Sequence, residues 1–290
     1  MLSIGHQHWL HTNLIAGSYS NIVDPFRATF DIKRPLLDLD FNQAADYTAE
    51  LIANKYANLH LCLSGGLDSE FVASVLIRNK IPFVPVIVLT ESNSENWYAF
   101  KFCHKHGLTP IVFDFSNKTA VKDTDLTMGD LLTEIYRIAV TLTVPTTESL
   151  IPNVIVKLLA DPTAKVLTGY GEPYPNPRYF GQAMGRTMEI CDHDYYLDLE
   201  YNDHPSGFFV YTPEIFKAMI TEIDYTLNTQ IAKAQLYGLL PRCKSNSILE
   251  YIKLIKENSS KHISDLNKKF WRAEHLKTVN IDRQTLLSML

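Results

Sequence analysis

The sequence Ser64-Gly65-Gly66-Leu67-Asp68-Ser69 lies between two apolar segments of different periodicity. Before it, Leu61 to Leu63 form a short apolar run, which is typical of a buried strand. After it, four apolar residues recur at the spacing of one helix face: Phe71, Val72, Val75 and Leu76. The segment therefore predicts a buried strand, a tight glycine turn and the N-terminus of a helix, in that order.

The composition of this turn favours a phosphate ligand. Its two glycines allow the backbone to approach a ligand without a Cβ in the way. The first N–H groups of the following helix have no intrahelical partner and lie at the positive end of its dipole. Ser64 and Ser69 add hydroxyl donors, whereas Asp68 can help to bind phosphate only through a cation. No Gly-Lys-Ser/Thr follows, so the turn is not a Walker loop.

Strand and helix patterns alternate on both sides of the turn. They predict the following elements in chain order: a helix over Phe41 to Lys55, the turn with its strand and helix, a strand over Phe83 to Thr90, a helix over Asn96 to His106 ended by Gly107, and strands over Pro110 to Phe115 and Ala164 to Thr168. This order predicts an α/β fold with a doubly wound parallel sheet. In such sheets ligands bind beyond the carboxyl ends of the strands, where Ser64 to Ser69 would lie.

The complete Ser-Gly-Gly-Leu-Asp-Ser match resembles the pyrophosphate loop of the N-type ATP pyrophosphatases, which include asparagine, GMP and NAD synthetases and tRNA-modifying enzymes. A second turn, Thr168-Gly169-Tyr170-Gly171-Glu172, resembles the Ser-Gly-x-Gly-x-Asp turn of asparagine synthetases. In that family a Pro-Thr helix precedes this turn, much like Pro145-Thr146 here. The family aspartate falls on Pro173, and Glu172 is the nearest acid. The resemblance implies a fold of the adenine nucleotide α hydrolase-like, HUP type.

The resemblance also assigns roles to residues. It implies that Leu63 to Ser69 and the second turn, with Gly169 and Gly171, bind ATP, and that adenine lies against Leu63 and the strand segment Val88 to Thr90. It implies a Mg²⁺ ion held by Asp68, with Glu172 as the candidate second ligand. The Arg-x-Lys of asparagine synthetases matches Arg242-Cys243-Lys244, which implies catalytic cations near the α-phosphate; Arg178 and Arg186 are rival candidates.

The implied activity is that of an ATP-dependent, AMP-forming carbon–nitrogen ligase. It activates a small-molecule carboxylate or amide as an adenylate, releases pyrophosphate, and passes the product to ammonia or an amine. Glutamine-dependent asparagine synthetases begin with a nucleophilic cysteine, whereas residue 2 here is leucine and only about sixty residues precede the loop. We therefore expect no glutaminase activity from this chain, and a separate glutaminase is a candidate ammonia source.

Two other classes of function are compatible with the sequence. Nucleobase- and tRNA-modifying enzymes share the loop, but deazaguanine nitrile synthases carry a zinc-binding cysteine cluster that the four scattered cysteines here do not form. A non-catalytic nucleotide-binding relative is the other alternative, and proline at position 173 is its best support. The discriminating observation is pyrophosphate release from ATP.

Composition fits an ordinary soluble protein. Of the 290 residues, 46% are hydrophobic and 20% charged, and the formal net charge of −5 argues against a nucleic-acid partner. No apolar run is long enough to span a membrane, and the separated cysteines fit a reducing compartment, so we expect a cytoplasmic protein. We expect an N-terminal extension over residues 1–40, the ATP-binding core over 41–175, and a mainly helical region over 176–290. Further helix patterns cover Thr124 to Thr143, Thr146 to Asp161, Pro213 to Leu227 and Ser247 to Glu257.

Overall fold

The computed structural model describes residues 2–4, 9–14, 26–89, 95–114, 163–175, 187–191, 205–242 and 278–290. At its centre lies a five-stranded sheet whose neighbouring strands all run parallel. Its strands, in chain order, are β4 (Leu59–Cys62), β5 (Val84–Leu89), β6 (Ile111–Asp114), β7 (Lys165–Thr168) and β10 (Ser206–Gly207). The predicted doubly wound parallel sheet is confirmed.

In the strand order β10-β7-β4-β5-β6, the carboxyl end of the central strand, β4, is a topological switch point. After β4 the chain continues to β5 on one side, whereas its other neighbour, β7, comes from much later in the sequence. The connections leaving β4 and β7 therefore part in opposite directions and leave a crevice between them. The two glycine turns follow these two strands, so the topology alone brings Ser64 and Gly169 to the same crevice.

Six α-helices occur in the described part of the chain: α1 (Phe41–Lys55), α2 (Leu67–Arg78), α3 (Asn96–His106), α4 (Pro213–Glu222), α5 (Thr229–Tyr237) and α6 (Arg283–Met289). Helix α1 begins at the predicted residue because Asp40 and Gln43 form a capping box. Helix α3 is followed by Gly107, whose φ of 65° fits the predicted C-cap. None of the described helices is long and apolar enough to cross a membrane.

Helix α4 ends earlier than the apolar pattern to Leu227 predicts. Its C-cap residue, Ile223, is extended, and the Asp224 carboxylate accepts hydrogen bonds from the backbone and hydroxyl of Thr226. Such a local side-chain turn competes with continued helix. The other predicted helices, over Thr124 to Thr143, Thr146 to Asp161 and Ser247 to Glu257, lie outside the described residues.

Two small antiparallel sheets accompany the central one. The first contains β1 (Leu2–Ile4), β2 (Leu10–Leu14) and β3 (Phe26–Phe30), and the second contains β8 (Tyr174–Pro175), β9 (Thr187–Cys191) and β11 (Thr278–Asp282). The second sheet lies mostly in the region expected to be mainly helical. The sequence did not indicate it, because β9 pairs with β11 across a long stretch of intervening chain.

An aromatic cluster of four stacked rings connects the helices around the first glycine turn. The cluster contains Phe41 of α1, Phe71 of α2 and Tyr237 of α5, together with Phe209, which precedes α4. The closest pair is Phe71 and Tyr237, whose ring centroids are 4.5 Å apart. Stacked aromatic pairs of this kind add stabilisation beyond the area that they bury. The cluster therefore fixes α5 against α2, and so determines which α5 side chains reach the turn.

The N-terminal segment contacts the helical C-terminal part. Trp9 is buried, its indole N–H donates to the carbonyl of Val210 at 3.0 Å, and its ring packs against Phe30 and Phe216. The same C-terminal part supplies α5 to the glycine turn. The division at residue 40 stays a prediction, but residues on both sides of it share one hydrophobic core.

Candidate active site

The first glycine turn has the predicted strand–turn–helix geometry. Gly65 has a φ of +87°, a conformation that L-residues rarely adopt. Gly66 is extended and is the N-cap of α2, with no side chain to bond the helix N-terminus. The Ser64 hydroxyl accepts a hydrogen bond from the Gly66 N–H at 3.2 Å and lies 3.1 Å from the Ser69 hydroxyl. The six residues thus form a loop held by its own serines.

The loop runs directly into the N-terminus of α2. The first intrahelical bond runs from the Glu70 N–H to the Gly66 carbonyl at 3.2 Å. The N–H groups of Leu67, Asp68 and Ser69 precede it, so they have no intrahelical acceptor. Together with the helix dipole, they form the type of arrangement that binds phosphate oxygens.

The second glycine turn lies directly against the first. A Cβ on Gly169 would come within 2.7 Å of the Ser69 nitrogen and 2.8 Å of the Asp68 carbonyl carbon, so only glycine fits there. Gly171, with a φ of +91°, then directs the chain to Glu172. The structure therefore brings together the predicted nucleotide-binding residues of both turns.

A lysine joins the two turns. Lys233 of α5 has a side chain only 4% exposed, and its ammonium lies 3.0 Å from Asp68 Oδ1 and 2.6 Å from Glu172 Oε1. The same ammonium is 3.1 Å from Asp68 Oδ2. The hydroxyl of Tyr237, one helical turn further along α5, donates to Asp68 Oδ1 at 2.7 Å. We call Asp68, Glu172, Lys233 and Tyr237 the lysine cluster.

Burial shifts the acid–base properties of the lysine cluster. Desolvation and the charge of Asp68 raise the pKa of Glu172 to about 7, although Lys233 opposes this. Burial alone lowers the pKa of Lys233, but the carboxylates of Asp68 and Glu172 outweigh it and raise that pKa. Burial and the same two carboxylates raise the pKa of Tyr237 well above its usual value. At neutral pH the lysine is therefore a cation and the tyrosine a neutral donor.

The predicted magnesium ligands, Asp68 and Glu172, come together, but with Lys233 between them. Carboxylate oxygens are suitable donors for Mg²⁺. However, both carboxylates already bind the ammonium, so a metal ion bound to both would have to displace a buried lysine. As they stand, the two residues do not fit a resident Mg²⁺. Elsewhere among the described residues, no group of three or more His, Cys, Asp or Glu is arranged to hold a metal ion.

Arg242 contacts the first turn and helix α2. Its guanidinium donates to the Gly65 carbonyl and to the Glu70 carboxylate, and it stacks over the Tyr98 ring at 4.3 Å. Its side chain is only 10% exposed. These contacts make it a support for the loop, and its predicted contact with the α-phosphate stays a prediction. Lys244, Arg178 and Arg186 lie outside the described residues.

The predicted adenine-binding strands lie beside the loop. The Leu63 N–H donates to the Val86 carbonyl at 2.8 Å, which extends the pairing of β4 with β5 to the start of the turn. Leu63 and Val88 are both buried, and Thr90 lies outside the described residues.

Cys62, the last residue of β4, is a free thiol whose pKa is raised to about 12 by desolvation, so it is not a nucleophile at neutral pH.

Lys233 and Tyr237 were not predicted as site residues from the sequence. A signal does exist in the sequence of α5, because Lys233 stands between two alanines and one turn before a tyrosine, on the buried side of the helix. A lysine on the apolar face of a helix is rarely fully buried without a partner. Its partners could not be identified from sequence, because Asp68 lies 165 residues away.

No family model and no curated protein sequence matches the chain. Among solved structures, an NH3-dependent NAD synthetase from Campylobacter jejuni matches with a TM-score of 0.33 and 15% identity, over 82% of this chain and 95% of that one. An NMN synthetase from Francisella tularensis matches with a TM-score of 0.31 and 11% identity, over 84% and 98%. At these values the similarities carry no argument about function.

Replacing Gly65 by alanine should destabilise the protein more than replacing Gly238. Both glycines have positive φ, which costs an L-residue about 1–2 kcal/mol. A Cβ on Gly65 would also lie 2.7 Å from the carbonyl carbon of Glu95, whereas one on Gly238 meets nothing within 4 Å. Urea unfolding of Gly65→Ala and Gly238→Ala measures the difference. Equal losses in the two variants would contradict the described position of the loop against Glu95.

Replacing Lys233 by methionine should lower the free energy of unfolding, although methionine keeps an apolar side chain of similar length. Lys233→Met leaves two carboxylates without their cation, and breaking a buried pair in this way costs about 3–5 kcal/mol. The double variant Lys233→Met/Glu172→Gln should be more stable than Lys233→Met, because only Asp68, the more exposed carboxylate, stays charged. The measurement is the free energy of unfolding in urea for wild type and for both variants. A single variant within about 1 kcal/mol of wild type would show that the cluster does not form.

Proposed function

We propose that the chain is an ATP-binding enzyme that cleaves ATP between its α- and β-phosphates. The observation that carries the proposal is the Ser64 to Ser69 loop, which lies at the switch point of a parallel sheet and includes the first turn of α2. Its residues match the pyrophosphate loop of N-type ATP pyrophosphatases in full. The second turn, with Gly169 in contact with Ser69 and Asp68, completes the crevice.

In the proposed reaction, the chain acts as an AMP-forming carbon–nitrogen ligase. An oxygen of a small-molecule carboxylate attacks the α-phosphorus, the bond to the bridging oxygen breaks, and pyrophosphate leaves. Ammonia or an amine then attacks the acyl carbon, and AMP leaves with its oxygen. The nitrogen source in this proposal is free ammonia, an amine or a separate glutaminase, in the cytoplasm.

The residues of the chain contribute mainly by holding the departing pyrophosphate. The N–H groups of Leu67 to Ser69 and the Ser64 hydroxyl would donate to its oxygens, where negative charge develops. Arg242 holds the loop through the Gly65 carbonyl and thereby keeps these donors in place. Lys233 adds a fixed positive charge behind Asp68. Because these groups are held by packed helices, little reorganisation is needed as the charge appears.

One observation favours a second candidate function, nucleotide binding without turnover. Asp68 is the only acidic residue of the matched loop, and both of its carboxylate oxygens are occupied by Lys233 and Tyr237. A chain of this second type would bind ATP on the same loop and release no pyrophosphate. Measuring ATP binding and pyrophosphate release on the same preparation, with ammonia and a panel of carboxylic acids, separates the two functions.

Gly66→Asp should abolish ATP binding without weakening the fold. Gly66 is an N-cap with ordinary, extended φ and ψ, and aspartate is among the most favourable N-cap residues. The new carboxylate would accept from the N–H groups that phosphate needs and would repel phosphate. We expect at least about a hundredfold weaker ATP binding by calorimetry, which corresponds to about 2.7 kcal/mol, with unchanged or higher thermal stability.

The matched control is Gly66→Ala, which adds a Cβ but neither charge nor acceptor. Its Cβ would lie 3.3 Å from the Ser64 hydroxyl, a contact that this exposed serine can relieve by rotating. We expect ATP binding within about tenfold of wild type. ATP binding that survives Gly66→Asp would place the nucleotide elsewhere and would refute the proposed function.

A further inference from the structure

We propose that the Lys233 ammonium is the resident cation of this site and takes the position between Asp68 and Glu172 that a divalent metal ion would occupy. The protein then supplies its own positive charge at the junction of the two glycine turns. It follows that these two carboxylates do not bind a divalent cation while Lys233 is present. This assignment of Lys233 does not depend on the proposed function, which concerns only the nucleotide that the neighbouring loop would bind.

The contact distances fit an ammonium ion. Lys233 Nζ lies 2.6 Å from Glu172 and 3.0 and 3.1 Å from the two oxygens of Asp68, distances typical of charged hydrogen bonds. An ammonium has three N–H donors, and these three oxygens can accept them. Mg²⁺ would instead need about six oxygens at about 2.1 Å in octahedral geometry. Asp68 Oδ1 also accepts a hydrogen bond from the Tyr237 hydroxyl, so it is less available to a metal ion.

Lys233 cannot easily withdraw to admit a metal ion. Its neighbours on α5, Ala232 and Ala234, are buried, and its side chain is 4% exposed. Tyr237, on the same helix, is stacked on Phe71 of α2. A large displacement of Lys233 would therefore require movement of α5 against the aromatic cluster, or would leave a charged ammonium buried without a partner.

The burial of the two carboxylates fits the same assignment. Of the two carboxylates, Glu172 is the more deeply buried, with 12% of its side chain exposed against 25% for Asp68, and it makes the shortest contact with the lysine. The lysine is thus bound most closely to the carboxylate that has least access to water.

The test uses Mn²⁺ as the probe, with the full chain and no nucleotide. Electron paramagnetic resonance of free Mn²⁺ measures how much of the ion the protein binds. We expect Asp68→Asn and Glu172→Gln to bind as much Mn²⁺ as wild type, because neither carboxylate is a metal ligand in wild type. Lys233→Met should gain one equivalent of bound Mn²⁺, and Lys233→Met/Asp68→Asn should lose it again. Lys105→Met, at an exposed position on α3, is the control and should match wild type.

One equivalent of Mn²⁺ that wild type binds and that both Asp68→Asn and Glu172→Gln lose would overturn the proposal. This comparison needs only variants that retain Lys233, so it decides even if Lys233→Met does not fold. Because no nucleotide is present, the outcome is independent of ATP binding. Failure of the proposed function would appear in the Gly66→Asp experiment, whereas failure of this inference would appear only in Mn²⁺ binding.

Discussion

The ion pairs of Lys233 connect three parts of the chain that are distant in sequence. Asp68 belongs to the first turn of α2, Glu172 follows the second glycine turn, and Lys233 comes from α5. The ammonium reaches both carboxylates because two contacts hold these parts together. Gly169 lies close to Ser69, and Tyr237 of α5 stacks on Phe71 of α2. The geometry of the site therefore depends on the helix that delivers the lysine.

Stability alone does not explain such a buried ionic cluster. Removing charges from water costs about as much as their attraction returns, and apolar replacements of similar volume are often equally stable. What the cluster does provide is a fixed geometry. Arg242 binds the Gly65 carbonyl and Glu70, so the loop contacts two cations that are both already bound to carboxylates. Within the part of the chain that the structure describes, the loop backbone and its serines are the donors that this site offers to an anion.

The local features of the fold could be predicted from sequence because their causes are local. The turn of Ser64 to Ser69, the strands β4 to β7 and the helices α1 to α3 follow from apolar periodicity, glycine positions and capping residues. The end of α4 could not be predicted, since the Asp224 turn overrides an apolar pattern that continues to Leu227. The second antiparallel sheet could not be predicted either, because its strands lack nearby partners.

The candidate site divides in the same way. Its loop residues carry a recognisable pattern, whereas Lys233 acquires its meaning only from Asp68 and Glu172, which approach it through tertiary packing. Arg242 was identified from a short motif, and its contacts with the loop and with Tyr98 come from tertiary packing. Sequence thus indicates where a nucleotide would bind, and tertiary structure indicates which charges surround it.

The most direct test of this account is a crystal structure of the chain with α,β-methylene-ATP and Mg²⁺. The account predicts phosphate oxygens within hydrogen-bond distance of the Leu67, Asp68 and Ser69 N–H groups, with the Lys233 ammonium still bound to Asp68 and Glu172. A nucleotide bound away from the Ser64 to Ser69 loop, or a Mg²⁺ ion in the position of the Lys233 ammonium, would contradict it.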